Sequence, residues 1–257
     1  MLLVIDAGNT NIAMAVLDND GNQLGNFRIT TKTPRTSDEF GICLSGLLMK
    51  CGVTRDDIDE VIVSSVVPKI MHSLNNCIRK YVGKVPLIIG PDIKTGITVN
   101  FENPKSVGAD RIVNTAYAFH TFKRSCLIID FGTATTFDYI SAEGVFSYTI
   151  IAPGIEISAQ ALYGNTAKLP EIEIKKPDSI LATNTTSGMQ AGVVYGYIGQ
   201  VEYIVNQMKK ELNDPDMYVI ATGGLGRVIY GETDVIDEYD PDIAYKGLYM
   251  LNKMNRG

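Results

Sequence analysis

The chain has few of the residues that build metal and redox centres. Only two histidines and four cysteines occur among its 257 residues. The cysteines form no CxxC pair, and the histidines form no HExxH motif. Zinc-finger and zinc-protease interpretations therefore lack their ligands. We expect four reduced thiols that fill the core, at Cys43, Cys51, Cys77 and Cys126.

Positive charge and long apolar runs are also scarce. Lys and Arg number 23 against 29 Asp and Glu, a net charge of −6, and no basic run is present to follow nucleic acid or an anionic membrane. No apolar run approaches the roughly 20 residues that span a bilayer. We therefore expect a cytoplasmic protein with no nucleic-acid or membrane partner. An anion would have to be bound by local backbone donors, a few placed cations or a metal ion.

Three widespread motifs are missing as well. GxGxxG, GxxxxGK[ST] and GxSxG do not occur, so Rossmann, P-loop and serine-hydrolase interpretations lack their residues. The composition, 45% apolar and 20% charged, is that of a globular protein with one large domain or two small ones.

The N-terminal half predicts the order βββαβαβ followed by a helix. LLVID, NIAMAVLD and the segment from Leu24 to Thr30 predict a β-meander. Thr36 and Glu39 form a capping-box pair before an amphipathic helix. EVIVSSVV then predicts a strand, residues 68–82 a helix and PLIIG another strand, and a further helix begins near Gly108.

The second half repeats the first. CLIIDFGTATTFDYISAEG aligns with LLVIDAGNTNIAMAVLDNDG, which places Asp130 on Asp6 and Gly132 on Gly8. A second meander, a helix after Gly154, a long helix over about 184–212, the strand MYVIATGG and a last helix over about 240–254 complete the copy. We predict two α/β lobes, residues 1–118 and 119–257, that face each other across a ligand-binding cleft.

The paired hairpins suggest phosphate binding. In DAGNTN, residues 6–11, Asp6 can hold Mg²⁺ directly or through water, while Asn9, Thr10 and backbone N–H groups bind phosphate oxygens. A plain hairpin with a structural aspartate is the alternative for this hexamer alone. The second copy, DFGTATT, favours the functional interpretation, because a structural turn need not retain both the aspartate and the hydroxyls.

Two further segments suggest substrate contacts. ATGGLG, residues 221–226, would allow flat contact with a base or ribose, although Gly-Gly turns after strands are common. Asp110, in the first turn of a predicted helix, is either a capping group or a base that takes a proton from a hydroxyl attacking a γ-phosphate. Arg111 beside it can bind an anionic substrate.

Taken in order, DAGNTN, GADR, DFGTATT and the late GG resemble the type III pantothenate kinases. The resemblance runs from Met1 to Asn252 and includes PKSVGADRIVN, TAKLP and NTTSGMQAG. It implies the duplicated actin/ribonuclease H-like α/β fold shared by acetate and sugar kinases, Hsc70 and actin. It also implies ATP-dependent phosphorylation of pantothenate, the first step of coenzyme A synthesis, with Mg²⁺, a monovalent cation (K⁺ or NH₄⁺) and a cytoplasmic homodimer.

The resemblance assigns roles to individual positions. It implies that Asp110 is the proton acceptor, that Asp130 is the ligand of the monovalent cation and that Thr133 contacts ATP. The first phosphate hairpin comprises Asp6, Ala7, Gly8, Asn9, Thr10, Asn11, Ile12 and Ala13. The pantothenate site comprises Phe101, Gly108, Ala109, Asp110, Arg111 and Thr185. The family usually has Tyr where Phe101 stands, so we expect the ring to pack without the hydroxyl contact.

Two other functions remain open from the residues alone. One is a different kinase or a phosphatase of the same fold, acting on another hydroxyl or on polyphosphate. The other is a nucleotide-binding regulator without turnover, against which the three aspartates Asp6, Asp110 and Asp130 argue. The apolar helix around residues 193–205 is either part of a core or an interface.

Overall fold

A computed structural model describes residues 1–256 of the chain. They form two compact units. The first unit comprises Met1–Ile97, Phe101–Tyr117 and the segment that begins at Asp242, and the second comprises Thr98–Asn100 and Ala118–Pro241. This differs from the predicted lobes, because the C-terminal helix contacts two strands of the first unit instead of belonging to the second.

The first unit is built on a five-stranded sheet of order β3-β2-β1-β4-β5. β1 pairs antiparallel with β2 and parallel with β4. The strands are β1 (Leu2–Ala7), β2 (Asn11–Leu17), β3 (Gln23–Thr30), β4 (Glu60–Ser65) and β5 (Leu87–Ile88). The helices are α1 (Ser37–Lys50), α2 (Pro68–Cys77), α3 (Ala109–Phe122), which ends in the second unit, and α7 (Ile243–Arg256).

Each face of this sheet has its own core. Leu3 and Ile5 of β1 pack with α1 and α2, whereas Leu2 and Val4 pack with α3 and α7. The alternation follows from the two-residue period of a strand. The predicted capping box is confirmed, since the Thr36 backbone N–H donates to Glu39 Oε2 at 2.7 Å and the Glu39 N–H donates to Thr36 Oγ1.

The second unit is built on a six-stranded sheet of order β11-β10-β7-β8-β9-β6. β7 pairs antiparallel with β8 and parallel with β10, as β1 does with β2 and β4, which confirms the duplication. The strands are β6 (Thr98–Val99), β7 (Cys126–Phe131), β8 (Ala134–Ile140), β9 (Val145–Pro153), β10 (Tyr218–Thr222) and β11 (Glu238–Tyr239). The helices are α4 (Ile155–Gly164), α5 (Thr185–Glu211) and α6 (Gly226–Tyr230).

The cysteine prediction is confirmed in part. All four thiols are free, but Cys77 and Cys126 are buried while Cys43 and Cys51 are half-buried. Burial raises the pKa of Cys77 and of Cys126 to about 12, so both stay protonated at neutral pH. Among residues 1–256, no helix combines the length and the apolar character needed to cross a membrane.

Candidate active site

Asp6 stands near the end of β1, on the sheet face that packs against α3 and α7. Its register partners are Ala13 on β2 and Ser64 on β4. Ser64 is fully buried, and its hydroxyl has no geometrically defined hydrogen-bond partner within residues 1–256. A half-buried carboxylate and a buried hydroxyl thus lie side by side near the carboxyl ends of the adjacent strands β1 and β4.

Asp110 enters the same unit from the start of α3. The Arg111 backbone N–H donates to Asp110 Oδ1 at 2.8 Å, and the Ile112 N–H donates to the Gly108 carbonyl at 3.2 Å. A Cβ on Gly108 would lie 2.5 Å from Asp110 Oδ1 and 3.2 Å from Val66 Cγ1. The absence of a side chain at Gly108 thus leaves room for the Asp110 carboxylate in its present position, close to Val66 at the end of β4.

The two carboxylates share one electrostatic environment. Burial, and after it the negative charge of Asp110, raise the pKa of Asp6 to about 7. The Ser64 hydroxyl and the positive charge of Arg28 act in the opposite direction. The structure thus brings together Asp6 and Asp110, two of the predicted site residues, and adds Ser64 and Arg28, which the sequence analysis missed.

The carboxylate of Asp6 and the neighbouring hydroxyl of Ser64 are oxygen donors of the kind that suits Mg²⁺. Within residues 1–256 no group of three His, Cys, Asp or Glu side chains forms a metal cage. Mg²⁺ in phosphoryl-transfer sites needs no such cage, because one or two carboxylates, waters and substrate phosphates complete its shell. Asp6, beside the buried Ser64 hydroxyl, is the group in the first unit that fits this role.

The predicted phosphate hairpin is a tight turn between β1 and β2. The Gly8 N–H donates to the Asn11 carbonyl at 3.0 Å, and the Thr31 hydroxyl donates to the Gly8 carbonyl at 2.7 Å. Asn9 and Asn11 are exposed. Ala7 and Ile12 are buried in the core, so only their backbone is available to a ligand. Thr31, directly after β3, supports the turn and was not predicted.

The second unit holds its aspartate in a matching position. Asp130 lies near the end of β7, in register with Thr136 on β8 and Thr222 on β10. Thr133 is exposed at the hairpin turn, and its carbonyl accepts a hydrogen bond from the Gly154 N–H at 3.1 Å. The turn that precedes α4 therefore supports this hairpin.

The ATGG loop closes over Asp130. Gly223 has a φ of +88°, and a Cβ there would lie 2.7 Å from Asp130 Oδ1. The Tyr239 hydroxyl donates to the Gly223 carbonyl at 2.9 Å, which holds the loop. Carboxylate and backbone carbonyl oxygens are the donors that hard cations take, so this surrounding fits a cation. A base or ribose contact for this loop stays a prediction from the sequence, whereas its closeness to Asp130 is visible only in the structure.

The predicted pantothenate residues divide between the units. Phe101 and residues 108–111 belong to the first unit, where Phe101 and Arg111 are half-buried. Thr185 belongs to the second unit, is exposed and begins α5, whose N-cap Asn184 accepts from the Ser187 N–H at 2.9 Å. The placement of the two units, and with it the shared cleft, stays a prediction.

Residues 2–207 match the family model of type III pantothenate kinases. The chain belongs to this family. The type III pantothenate kinase of Agathobacter rectalis is 52% identical to it over 257 residues, which cover all of this chain and 98% of the relative. Family membership makes the chain a transferase of the kinase type and confirms the resemblance on which the site residues were predicted.

Solved structures support the fold of this type III pantothenate kinase family member. A Campylobacter jejuni protein described as a Baf-family transcriptional activator superposes with a TM-score of 0.58 at 18% identity, covering 98% of each chain. A Sinorhizobium meliloti protein described as a 2-dehydro-3-deoxygalactonokinase gives 0.57 at 10% identity, covering 99% of each. The duplicated actin/ribonuclease H-like fold is confirmed. At these identities the likeness concerns the fold alone.

Proposed function

We propose that this chain transfers the γ-phosphate of ATP to the primary hydroxyl of pantothenate, the first step of coenzyme A synthesis. The observation that carries the proposal is that the carboxylates of Asp6 and Asp110 lie close enough to repel each other at the carboxyl end of β1. The chain also matches type III pantothenate kinases over its full length. A non-catalytic nucleotide-binding protein would have no need of a second carboxylate at that end of β1.

Asp110 is the proposed proton acceptor. Its carboxylate accepts the Arg111 N–H at the start of α3, which orients it, and it takes the proton late, as the attacking hydroxyl becomes acidic. Most of the rate in phosphoryl transfer comes from positioning and charge neutralisation. Bound Mg²⁺ would supply such neutralisation beside Asp6.

The hairpins hold the nucleotide in this proposal. The backbone N–H groups and polar side chains of residues 8–13 bind phosphate oxygens, and Thr133 contacts ATP. Residues 108–111, Thr185 and the ring of Phe101 bind pantothenate, whose carboxylate suits the Arg111 guanidinium. Asp130 holds K⁺ or NH₄⁺ beside the ATGG loop.

Coupled ADP release tests the proposal. Purified protein with Mg·ATP, K⁺ and pantothenate should turn over, and pantothenate should exceed sugars, acetate and polyphosphate acceptors by a wide margin in kcat/KM. Preference for another hydroxyl would identify a different kinase of the same fold. Folded protein that binds nucleotide without turnover on any acceptor would identify the regulator.

We further propose a cytoplasmic homodimer. Val193, Val201 and Val205 of α5 lie in the core of the second unit, so they are not available to a partner. Tyr203 on the same helix is 72% exposed and offers a large apolar surface to a second copy. Sedimentation velocity should give twice the chain mass, and Tyr203→Glu should shift it toward the monomer if this surface is used.

A further inference from the structure

One positive side chain lies in the same row of the sheet as Asp6. β1, β2 and β3 are paired so that Asp6 is opposite Ala13 and Ala13 is opposite Arg28. Register-matched residues project from the same face of a sheet. Ala13 between them carries only a methyl group, and the charge of Arg28 acts on Asp6 across β2.

Tyr245 of α7 meets Arg28 on this face. The tyrosine is 5% exposed and belongs to the core formed by β1, α3 and α7. Burial raises the pKa of its hydroxyl, while the charge and the polar side-chain contact of Arg28 lower it. Asp6 acts on the same hydroxyl. A rigid helix residue therefore lies beside both the arginine and the aspartate.

The side chain of Arg28 is exposed. Within residues 1–256 no carboxylate approaches its guanidinium within 4.0 Å, whereas Arg55 pairs with Asp56 at 3.4 Å and Arg256 with Glu60 at 3.9 Å. A guanidinium carries five N–H donors, so the contact with Tyr245 leaves further donors on this exposed side chain. A guanidinium whose only role was to neutralise Asp6 would be expected to pair with it directly.

The charge of the site favours a positive side chain there in addition to Mg²⁺. The chain carries a net charge of −6, and the edge of the first unit presents Asp6 and Asp110 together. A triphosphate that binds there meets two carboxylates, so local cations have to offset the repulsion. Arginine binds phosphate through two parallel N–H···O bonds, a geometry that lysine does not reproduce.

We propose that Arg28, supported by Tyr245, binds a phosphate group of the nucleotide at the edge of the first unit. The inference rests on the proposed function only in taking a nucleoside triphosphate as the ligand. Arg28 would then be a substrate-binding residue contributed by β3, and Tyr245 a positioning residue that acts through it.

The test is isothermal titration of Arg28→Ala and Arg28→Lys with ATP, ADP and adenosine in the presence of Mg²⁺. Arg28→Ala should weaken ATP binding about 10- to 100-fold and leave adenosine binding within about two-fold of wild type. Arg28→Lys should recover part of the loss. In turnover, the KM for ATP should rise while the KM for pantothenate stays unchanged.

Control variants distinguish loss of the proposed contact between Arg28 and phosphate from a general loss of structure. Arg55→Ala removes an exposed arginine of the same unit, and Tyr249→Phe removes a hydroxyl one turn along α7 that donates to the Asn19 carbonyl. Both should leave ATP binding unchanged. Tyr245→Phe should weaken ATP binding several-fold, less than Arg28→Ala does.

Three results would overturn the inference. They are unchanged ATP affinity in folded Arg28→Ala, an equal loss for adenosine, and a rise confined to the KM for pantothenate. Nucleotide titration does not depend on which hydroxyl is phosphorylated. If wild-type protein binds ATP but does not phosphorylate pantothenate, the proposed function fails. The nucleotide titrations of the Arg28 variants then still test the contact between Arg28 and phosphate.

Discussion

At the scale of single residues, ionisation of the Asp6 carboxylate lowers the stability of the folded protein. Its pKa rises to about 7 because burial and Asp110 disfavour the charged carboxylate. An acid whose pKa is raised on folding destabilises the folded state progressively as pH climbs from its unfolded value, about 3.9, to its folded value. Above pH 7 the full cost is present, so bound cations would stabilise the protein there.

Asp6→Asn should therefore raise the melting temperature of the ligand-free protein at pH 8. We expect a gain of roughly 3 °C or more, since each kcal/mol corresponds to about 2–4 °C in a chain of this size. At pH 5 the gain should be smaller, because wild-type Asp6 is then largely protonated. Circular dichroism melts at both pH values measure it, with exposed Asp56→Asn as the control. An equal rise in melting temperature at both pH values would show that ionisation of Asp6 is not its cause.

Asp110→Asn should separate binding from chemistry. The variant keeps the side-chain volume and an oxygen that can accept the Arg111 N–H, so it should fold and bind ADP like wild type. Loss of the proton acceptor should reduce kcat at least about 100-fold. Single-turnover kinetics measure this, with exposed Asp92→Asn as the control. Near wild-type kcat would remove Asp110 from the role of base.

At the scale of elements, the local patterns predicted most boundaries. The meanders, the capping box of α1 and the long α5 follow from periodicity and caps that neighbouring residues determine. The two-residue β6 was not predicted, because Thr98 and Val99 become a strand only by pairing with Val145 and Phe146 of β9. PLIIG forms only the two-residue β5, because just Leu87 and Ile88 pair with β4.

The turn before α4 should be sensitive to a single methyl group. A Cβ on Gly154 would clash with the carbonyl oxygens of Gly132 and Thr133, which are backbone atoms that cannot rotate away. Gly154→Ala should lower the free energy of unfolding by about 1–3 kcal/mol and raise the KM for ATP through the displaced hairpin. Urea unfolding and initial-rate kinetics measure the two effects.

The control for this prediction is Gly192→Ala in α5. No atom lies within 4 Å of a Cβ at that position, so helix propensity alone should act. The variant should gain about 0.5–1 kcal/mol and keep the KM for ATP. If Gly154→Ala behaved like Gly192→Ala, the hairpin would not depend on the turn before α4.

At the scale of the whole molecule, the acidic balance makes cations part of the proposed function. Each unit presents an aspartate near the end of the first strand of its β-meander, Asp6 on β1 and Asp130 on β7, and the chain as a whole carries a net charge of −6. ATP adds further negative charge. A monovalent cation at Asp130 would relieve this repulsion without the octahedral geometry that a second Mg²⁺ demands.

Replacement of K⁺ by Na⁺ at constant ionic strength should therefore lower kcat about ten-fold or more, because the site proposed at Asp130 is one for K⁺ or NH₄⁺. NH₄⁺ should support turnover. Asp130→Asn should make the residual rate nearly independent of the cation supplied. Equal wild-type rates in K⁺ and Na⁺ would argue against a cation at Asp130.

The sequence by itself determined the strand and helix order, the duplication and the two aspartate hairpins, because each depends on residues close together in the chain or on similarity between its halves. Only the tertiary structure decided that α7 returns to the first unit and brings Tyr245 to Arg28. It alone also placed Asp6 where burial and Asp110 raise its pKa. Such contacts join distant segments, and no local pattern encodes which segments meet.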